Sequence, residues 1–198
     1  MKKYITIFQL AWNRCLEYRG VNLVFLVVSI INITLNIVVW SVAYQNPHFQ
    51  STEPYSVFIS YFLLVIFFNQ LVNSFTGGVI ADEHIKRGEL SIYLLKPFSY
   101  FLYMMLLEIP WRIIAFISSL PVILVFLFVF RNIIEINVFF FFTAILLIGL
   151  AYVLSFIIQI LFACLTFWFE DTHGIFDLLE ILVLLFSGVG IPLFFLPD

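Results

Sequence analysis

The residues that could carry chemistry are few, and they do not form a catalytic pattern. The three histidines, His48, His84 and His173, lie far apart in the sequence. None of them has the spacing to cysteine, acid or serine that zinc sites and nucleophile–base sets require. The sequence also contains no Gly-x-x-x-x-Gly-Lys-Ser/Thr loop for binding nucleotide phosphates. We therefore predict no catalytic residue, no metal site and no cofactor bound by this chain.

Charged and titratable residues are concentrated in residues 79–100, called here the charged segment. Asp82 precedes Lys86 by one helical turn, and Glu83 precedes Arg87 in the same way, which is the favourable order for ion pairs on a helix. Pro97 is expected to end this helix. The segment has three interpretations: a solvated loop with His84 on its wet face, an interfacial helix, or a docking element for a soluble partner.

The composition places the chain in a membrane. Hydrophobic residues make up 64% of the 198 residues, charged residues only 11%, and the mean hydropathy is +1.13. A soluble domain has about 25% charged residues. The net charge of −3 provides no basic surface for nucleic acid. These values exclude a soluble enzyme, a disordered chain and a nucleic-acid-binding protein.

Five apolar runs are candidates for membrane spans, because crossing the hydrocarbon layer takes about 20 residues. They are residues 21–44, 55–78, 109–130, 138–169 and 175–197. In the fifth run Gly188, Gly190 and Pro192 interrupt the helix, so its unbroken part is too short to span alone. The sequence predicts an all-α, polytopic membrane protein with about five spans in one domain, residues 1–198.

The positive residues predict the orientation. Seven of the nine Lys and Arg residues precede the first run or lie between the second and third: Lys2, Lys3, Arg14, Arg19, Lys86, Arg87 and Lys96. The positive-inside rule then places the N-terminus and residues 79–108 in the cytoplasm. Residues 1–20 have apolar residues at helical spacing and predict an amphipathic helix in the membrane interface. The alternative is a cytoplasmic extension of the first span.

Polar residues inside the spans have two interpretations. A stripe on the first two spans comprises Ser29, Asn32, Asn36, Asn69 and Asn73. Such residues usually hydrogen-bond between helices, or they line a translocation path for a substrate. Glu108 and Arg112, at the start of the third span, are expected to extend to the membrane surface.

Two motifs resemble a known family. Residues 85–99, IKRGELSIYLLKPFS, are similar to the pattern I-R-x-G-x-L-x-x-Y-L-L-K-P-h-S of ABC-2-type transporter permeases, the membrane subunits of bacterial ABC exporters. The N-terminus also matches the start K-K-Y-x-x-x-F-x-x-x-W-x-x-x-L-x-Y-R of one group of these permeases. The matching residues are Lys2, Lys3, Tyr4, Phe8, Trp12, Leu16, Tyr18 and Arg19. Permeases of this kind usually have six spans, so the resemblance implies that the last span is missing here.

The resemblance also implies partners and a mechanism. Two permease subunits pair as a homodimer or heterodimer in the bacterial plasma membrane, and each docks on a separate ATPase subunit that binds the ATP. The charged segment would be the coupling helix, with contacts from Asp82, Glu83, Lys86, Arg87, Gly88, Glu89, Leu90, Leu94, Leu95, Lys96 and Pro97. Two alternatives stay open: a membrane scaffold that holds a soluble partner without transport, and an integral membrane enzyme.

Overall fold

A computed structural model describes residues 2–45, 55–129, 138–169 and 171–190. Within these ranges the regular structure is entirely helical, which confirms the predicted fold class. The helices are α1 (Lys2–Glu17), α2 (Arg19–Gln45), α3 (Tyr55–Val72), α4 (Thr76–Val79), α5 (Leu90–Leu94), α6 (Tyr100–Val129), α7 (Val138–Cys164) and α8 (His173–Phe186). A π-helical turn, Ile80–Lys86, continues α4, and a 3-10 turn, Leu165–Phe167, follows α7.

Three helices of the described ranges are long and apolar enough to cross a membrane. Their spanning parts are Leu23–Gln45 in α2, Tyr100–Val122 in α6, and Thr143–Phe167 in α7 with the 3-10 turn that follows it. The shorter α8 has 14 residues, so at about 1.5 Å per residue it does not reach across a hydrocarbon layer of about 30 Å. It ends at Phe186, just before Gly188, whose φ of 80° turns the chain.

Two helices differ in their bounds from the predicted spans. The second predicted span runs to residue 78, but α3 ends at Val72, because residues 73–75 leave the helix. The third predicted span starts at residue 109, but α6 already starts at Tyr100. The helix continues through Glu108 because Arg112, one turn later, neutralises its charge within the helix.

The central helix is α6, which packs against α1, α2 and α3. Its residue Met104 joins a buried cluster with Phe156 of α7 and with Ile80 and Ala81 of the π-helical turn. A second cluster, around Ile33 and Phe62, joins α2 to α3. The first cluster attaches the start of the charged segment to the long helices α6 and α7.

The amphipathic helix α1 is separated from α2 by Tyr18 alone. Its buried residues are Ala11 and Cys15, and the helix packs on α6. Near its start, the Lys3 ammonium group donates a hydrogen bond to the carbonyl oxygen of Pro97, and the Tyr4 hydroxyl accepts one from the backbone N–H of Ser99 at 3.3 Å. Helix α1 therefore connects the end of the charged segment to the start of α2.

A close helix approach at Gly77 predicts the outcome of two matched substitutions. A Cβ atom at Gly77 would lie 2.8 Å from the backbone oxygen of Gln159 in α7, whereas a Cβ at the adjacent Gly78 would meet nothing within 4 Å. We expect Gly77→Ala to lower the free energy of unfolding by about 1–3 kcal/mol through overpacking. Gly78→Ala should leave it equal or raise it by up to about 1 kcal/mol.

Unfolding of the two purified variants in mild detergent, followed by circular dichroism, measures this difference. Equal unfolding midpoints for the two variants would show that α4 does not pack against α7 as described.

Candidate coupling site

The carboxylate of Glu108 accepts hydrogen bonds from the break between α3 and α4. Its Oε2 atom accepts from the hydroxyl of Ser74 at 2.7 Å and from that of Thr76 at 2.5 Å. Its Oε1 atom accepts from the backbone N–H of Phe75 at 3.1 Å. Backbone N–H groups at the start of a helix lack partners within that helix, and here a side chain from α6 satisfies one of them. The carboxylate thus fixes where α3 ends and α4 begins.

The same carboxylate is paired with Arg112, one turn later in α6. Arg112 donates to Oε1 from Nη2 at 2.5 Å and from Nε at 3.1 Å. Its guanidinium also lies 4.7 Å from the ring centroid of Phe75. Glu108 is only 8% exposed, and the hydroxyl of Tyr152 in α7 lies 3.5 Å from its Oε2. A buried charge is tolerated when it is paired and fully hydrogen-bonded, and this carboxylate meets both conditions.

Helix α7 holds the break from the other side. The hydroxyl of Ser155 accepts a hydrogen bond from the backbone N–H of Ser74 at 3.0 Å. A few residues further, Gly77 lies directly against Gln159. Side chains of α6 and α7 therefore satisfy the backbone where it leaves α3, and the start of the charged segment is tied to both helices.

The charged segment consists of two short helical pieces rather than one continuous helix. The first piece ends with the π-helical turn at Lys86, and α5 follows at Leu90–Leu94. Gly88, with φ of 76°, makes the turn between them. The Lys86 ammonium lies 2.9 Å from the Asp82 carboxylate, and its hydrogen bond lowers the pKa of Asp82.

The second expected ion pair does not form. Arg87 lies beyond the last helical residue, and no ion pair joins it to Glu83 in the part of the chain that the structure describes. Helical spacing brings two side chains together only when the helix includes both of them.

The outer part of the segment is exposed. Leu94 is 66% and Leu95 is 87% exposed, and Ile92 is 58% exposed. Around them lie further exposed residues of the predicted coupling set: Glu83, Lys86, Arg87, Gly88, Lys96 and Pro97. Asp82, Glu89 and Leu90 are half-buried. Exposed leucines in a loop rich in charged residues form an apolar patch that suits a protein partner.

His84 lies on the inner face of the segment, not on the solvated face expected from the sequence. It is 4% exposed, its ring stacks on Tyr93 with centroids 4.5 Å apart, and its Nδ1 atom lies 2.5 Å from the hydroxyl of Tyr100. Burial lowers the pKa of His84, and the nearby Glu89 and Glu83 only partly oppose this shift. The neutral ring can then accept a hydrogen bond at Nδ1 from the Tyr100 hydroxyl.

Four of the five residues in the predicted polar stripe lie in the same cleft. Ser29, Asn32, Asn69 and Asn73 line one cleft of about 240 Å³, together with Gln70 and Arg112. Within it, Gln70 Nε2 donates to the Ser29 hydroxyl at 2.7 Å and so joins α3 to α2. Asn36 does not line this cleft and donates to the backbone oxygen of Asn32 within its own helix at 2.9 Å.

Sequence reasoning missed the most connected residue of the site. Glu108 and Arg112 were expected to extend to the membrane surface, but both are turned inward and paired. The available signal was an acid and a base at helical spacing inside a run that otherwise has no charge between residues 97 and 130. Their hydrogen-bond partners Ser74, Thr76 and Tyr152 give no comparable signal in the sequence.

The burial of His84 predicts a pH-dependent loosening of the charged segment. Because its pKa in the folded protein lies below the ordinary value of 6.5, the unfolded segment binds the proton more readily. The contribution of the neutral His84 ring to the stability of the folded segment is fully present above pH 6.5 and is lost as the pH falls below that value. Hydrogen–deuterium exchange of residues 80–94, corrected for intrinsic rates, should therefore accelerate between about pH 7 and pH 5.

His84→Phe provides the control, since phenylalanine keeps the stacking on Tyr93 but does not titrate. This variant should show the same corrected exchange at both pH values. An unchanged pH dependence in the variant would assign the effect to another group.

Glu108 and Asp82 are each paired with a basic residue one turn later, but removing their charges should lower the free energy of unfolding by different amounts. Glu108→Gln leaves Arg112, which is only 14% exposed, without its counter-charge, and this should lower the free energy of unfolding by about 3–5 kcal/mol. Asp82→Asn breaks a partly exposed pair and should cost no more than about 0.5 kcal/mol. Denaturant unfolding of both variants in detergent gives the comparison. A small loss for Glu108→Gln would show that the carboxylate does not hold the break.

Comparison with known proteins assigns the family. The model of the family described as ABC-2 family transporter protein matches residues 30–198. No curated protein and no solved structure matches the chain. The matched region begins within α2, covers its second half and includes every later element of the described fold. The resemblance found in the sequence is thereby confirmed, and the chain is a membrane component of a transporter rather than an enzyme. It belongs to the ABC-2 family of transporter proteins.

Proposed function

We propose that the chain is the permease subunit of an ATP-driven exporter and that it couples to a separate ATPase through the charged segment. The observation that carries the proposal is the contrast within this segment. Its tip exposes Leu94 and Leu95, while its start is hydrogen-bonded to the buried carboxylate of Glu108. A soluble partner could bind the exposed end of the segment, and because the start of the segment is attached to α6, movement of the partner could move the spans.

The tip offers both apolar area and positive charge. Leu95 is 87% exposed, and the same segment carries the exposed cations Lys86, Arg87 and Lys96. Apolar anchors bury area in a partner's groove, and charges at the rim orient the approach. We assign docking to Leu90, Leu94 and Leu95, and orienting contacts to the charged residues between Asp82 and Lys96.

The base of the segment would transmit the movement. The π-helical turn packs Ile80 and Ala81 against Met104 of α6 and Phe156 of α7. Packed interiors do not deform continuously, so a displaced tip would shift these helices as bodies. In this proposal Glu108 and Arg112 are positioning residues that keep the start of the charged segment attached to α6 while the ATPase moves its tip.

The proposed orientation places the N-terminus and the charged segment in the cytoplasm of a bacterial cell, with the spans in its plasma membrane. The positive residues support this orientation. The contacts of Lys3 with Pro97 and of Tyr4 with Ser99 support a common side for both parts. A second permease subunit, identical or related, would complete the membrane part, and ATP would be bound by the ATPase and not by this chain.

Charged substitutions at the tip should abolish docking. Leu94→Asp and Leu95→Asp each place a carboxylate where an apolar groove is expected, so co-purification with a co-expressed ABC ATPase subunit should fall at least about tenfold. Leu95→Met keeps the apolar area and should retain the complex. The measurement is the amount of ATPase recovered with the tagged permease, followed by ATP turnover of the complex in lipid.

Different results would separate the proposal from its alternative. Unchanged recovery with both aspartate variants would refute docking through this segment. Normal recovery together with ATP turnover that the permease never alters would identify a scaffold without transport.

A further inference from the structure

Three clefts meet at Asn69 and Asn73, near the end of α3. The first, called here the amide cleft, is the cleft of about 240 Å³ that also exposes Asn32. The second, called here the apolar groove, measures about 330 Å³ and is lined by Leu64, Val65, Phe68 and Val72 besides the two asparagines and Ser187. The third, of about 170 Å³, reaches Gln159 and Glu180. Polar and apolar surfaces thus adjoin at two shared side chains.

The amide groups in this cleft are largely unpaired. The side chains of Asn32, Asn69 and Asn73 make no hydrogen bond within the described ranges. Gln70 donates to Ser29, but its Oε1 atom is buried and has no partner among the described residues. A buried acceptor without a partner costs about 1–3 kcal/mol. Such a group indicates a missing donor.

The amide cleft presents no uncompensated charge. Among its described lining residues the only ionised side chain is Arg112, and Arg112 is paired with Glu108 at 2.5 Å. A charged ligand group would leave water without a counter-ion, which is costly in an apolar surrounding. Amides instead both donate and accept hydrogen bonds, so they favour an uncharged polar group.

We infer that this junction binds an amphiphile with an uncharged, hydrogen-bonding polar group. The polar group lies in the amide cleft and supplies the donor for Gln70, while the apolar part lies along the groove between Leu64 and Val72. The cleft exceeds the roughly 10–15 Å³ that one water molecule needs, so it holds a group of several heavy atoms. The inference rests on the proposed function in one respect, since it names the chemical class of the exported molecule.

A photoreactive alkyl maltoside, with the reactive group in its alkyl chain, tests the binding directly. The purified chain in nanodiscs of neutral lipid is labelled and the labelled peptides are identified by mass spectrometry. We expect labelling within residues 64–72. Dodecyl maltoside should compete at concentrations at least about tenfold lower than dodecyl sulfate or dodecyltrimethylammonium, a difference equal to about one or two hydrogen bonds.

Substitutions then locate the polar group. Asn69→Leu and Asn32→Leu should each weaken labelling about tenfold by removing an amide. Thr34→Leu is the control, because Thr34 lies on the same helix as Asn32 and is likewise exposed, but it does not line the cleft. Asn69→Asp tests charge without relying on loss of function: it should shift the preference towards dodecyltrimethylammonium.

Several outcomes would overturn the inference. They are equal competition by a charged head, labelling that Asn69→Leu does not change, and disulfide cross-linking of an Asn73→Cys variant to a second copy, which would make the junction a subunit interface. Because labelling is measured without the ATPase, failure here leaves docking untouched. Failure of docking would likewise leave the amphiphile site intact.

Discussion

One buried carboxylate determines how the charged segment is attached to the rest of the fold. Glu108 receives hydrogen bonds from the break after α3, from Arg112 in its own helix and, at longer range, from Tyr152 in α7. Without this carboxylate, the backbone N–H of Phe75 and the hydroxyls of Ser74 and Thr76 would lose the hydrogen-bond acceptor that they have just after α3 ends at Val72. The start of the charged segment depends on this arrangement, because α4 starts where the carboxylate accepts its hydrogen bonds.

The helical membrane architecture could be predicted from the sequence because it depends on sums over many residues. Runs of apolar side chains need no knowledge of neighbours, and the runs in α2, α6 and α7 reappear as long apolar helices. The helix bounds at Val72 and Tyr100 could not be predicted, since they depend on hydrogen bonds between residues more than thirty positions apart, such as Ser74 and Glu108. The same holds for His84, whose burial results from Tyr93 and Tyr100 folding over it.

The candidate site shows the same division. The leucines and charges of the segment were identified by their pattern, and Leu94 and Leu95 are exposed in the fold. The polar stripe was predicted as a set of residues, but its geometry came only from the structure: four of its members share a cleft, whereas Asn36 bonds to its own helix. Spacing within one helix can be read from sequence. Which face of one helix opposes which face of another is decided by packing across helices.

Helix α1 gives the molecule a closed mechanical linkage. It is bonded at its start to Pro97 and Ser99, rests along α6 through Ala11 and Cys15, and is joined at its end to α2 across Tyr18. If a partner displaced the tip as proposed, the displacement would reach the fold at two separate points, through α4 at the first third of α6 and through α1 at the beginning of α2. Forces applied at these two points would rotate α2 and α6 relative to each other rather than only translate them.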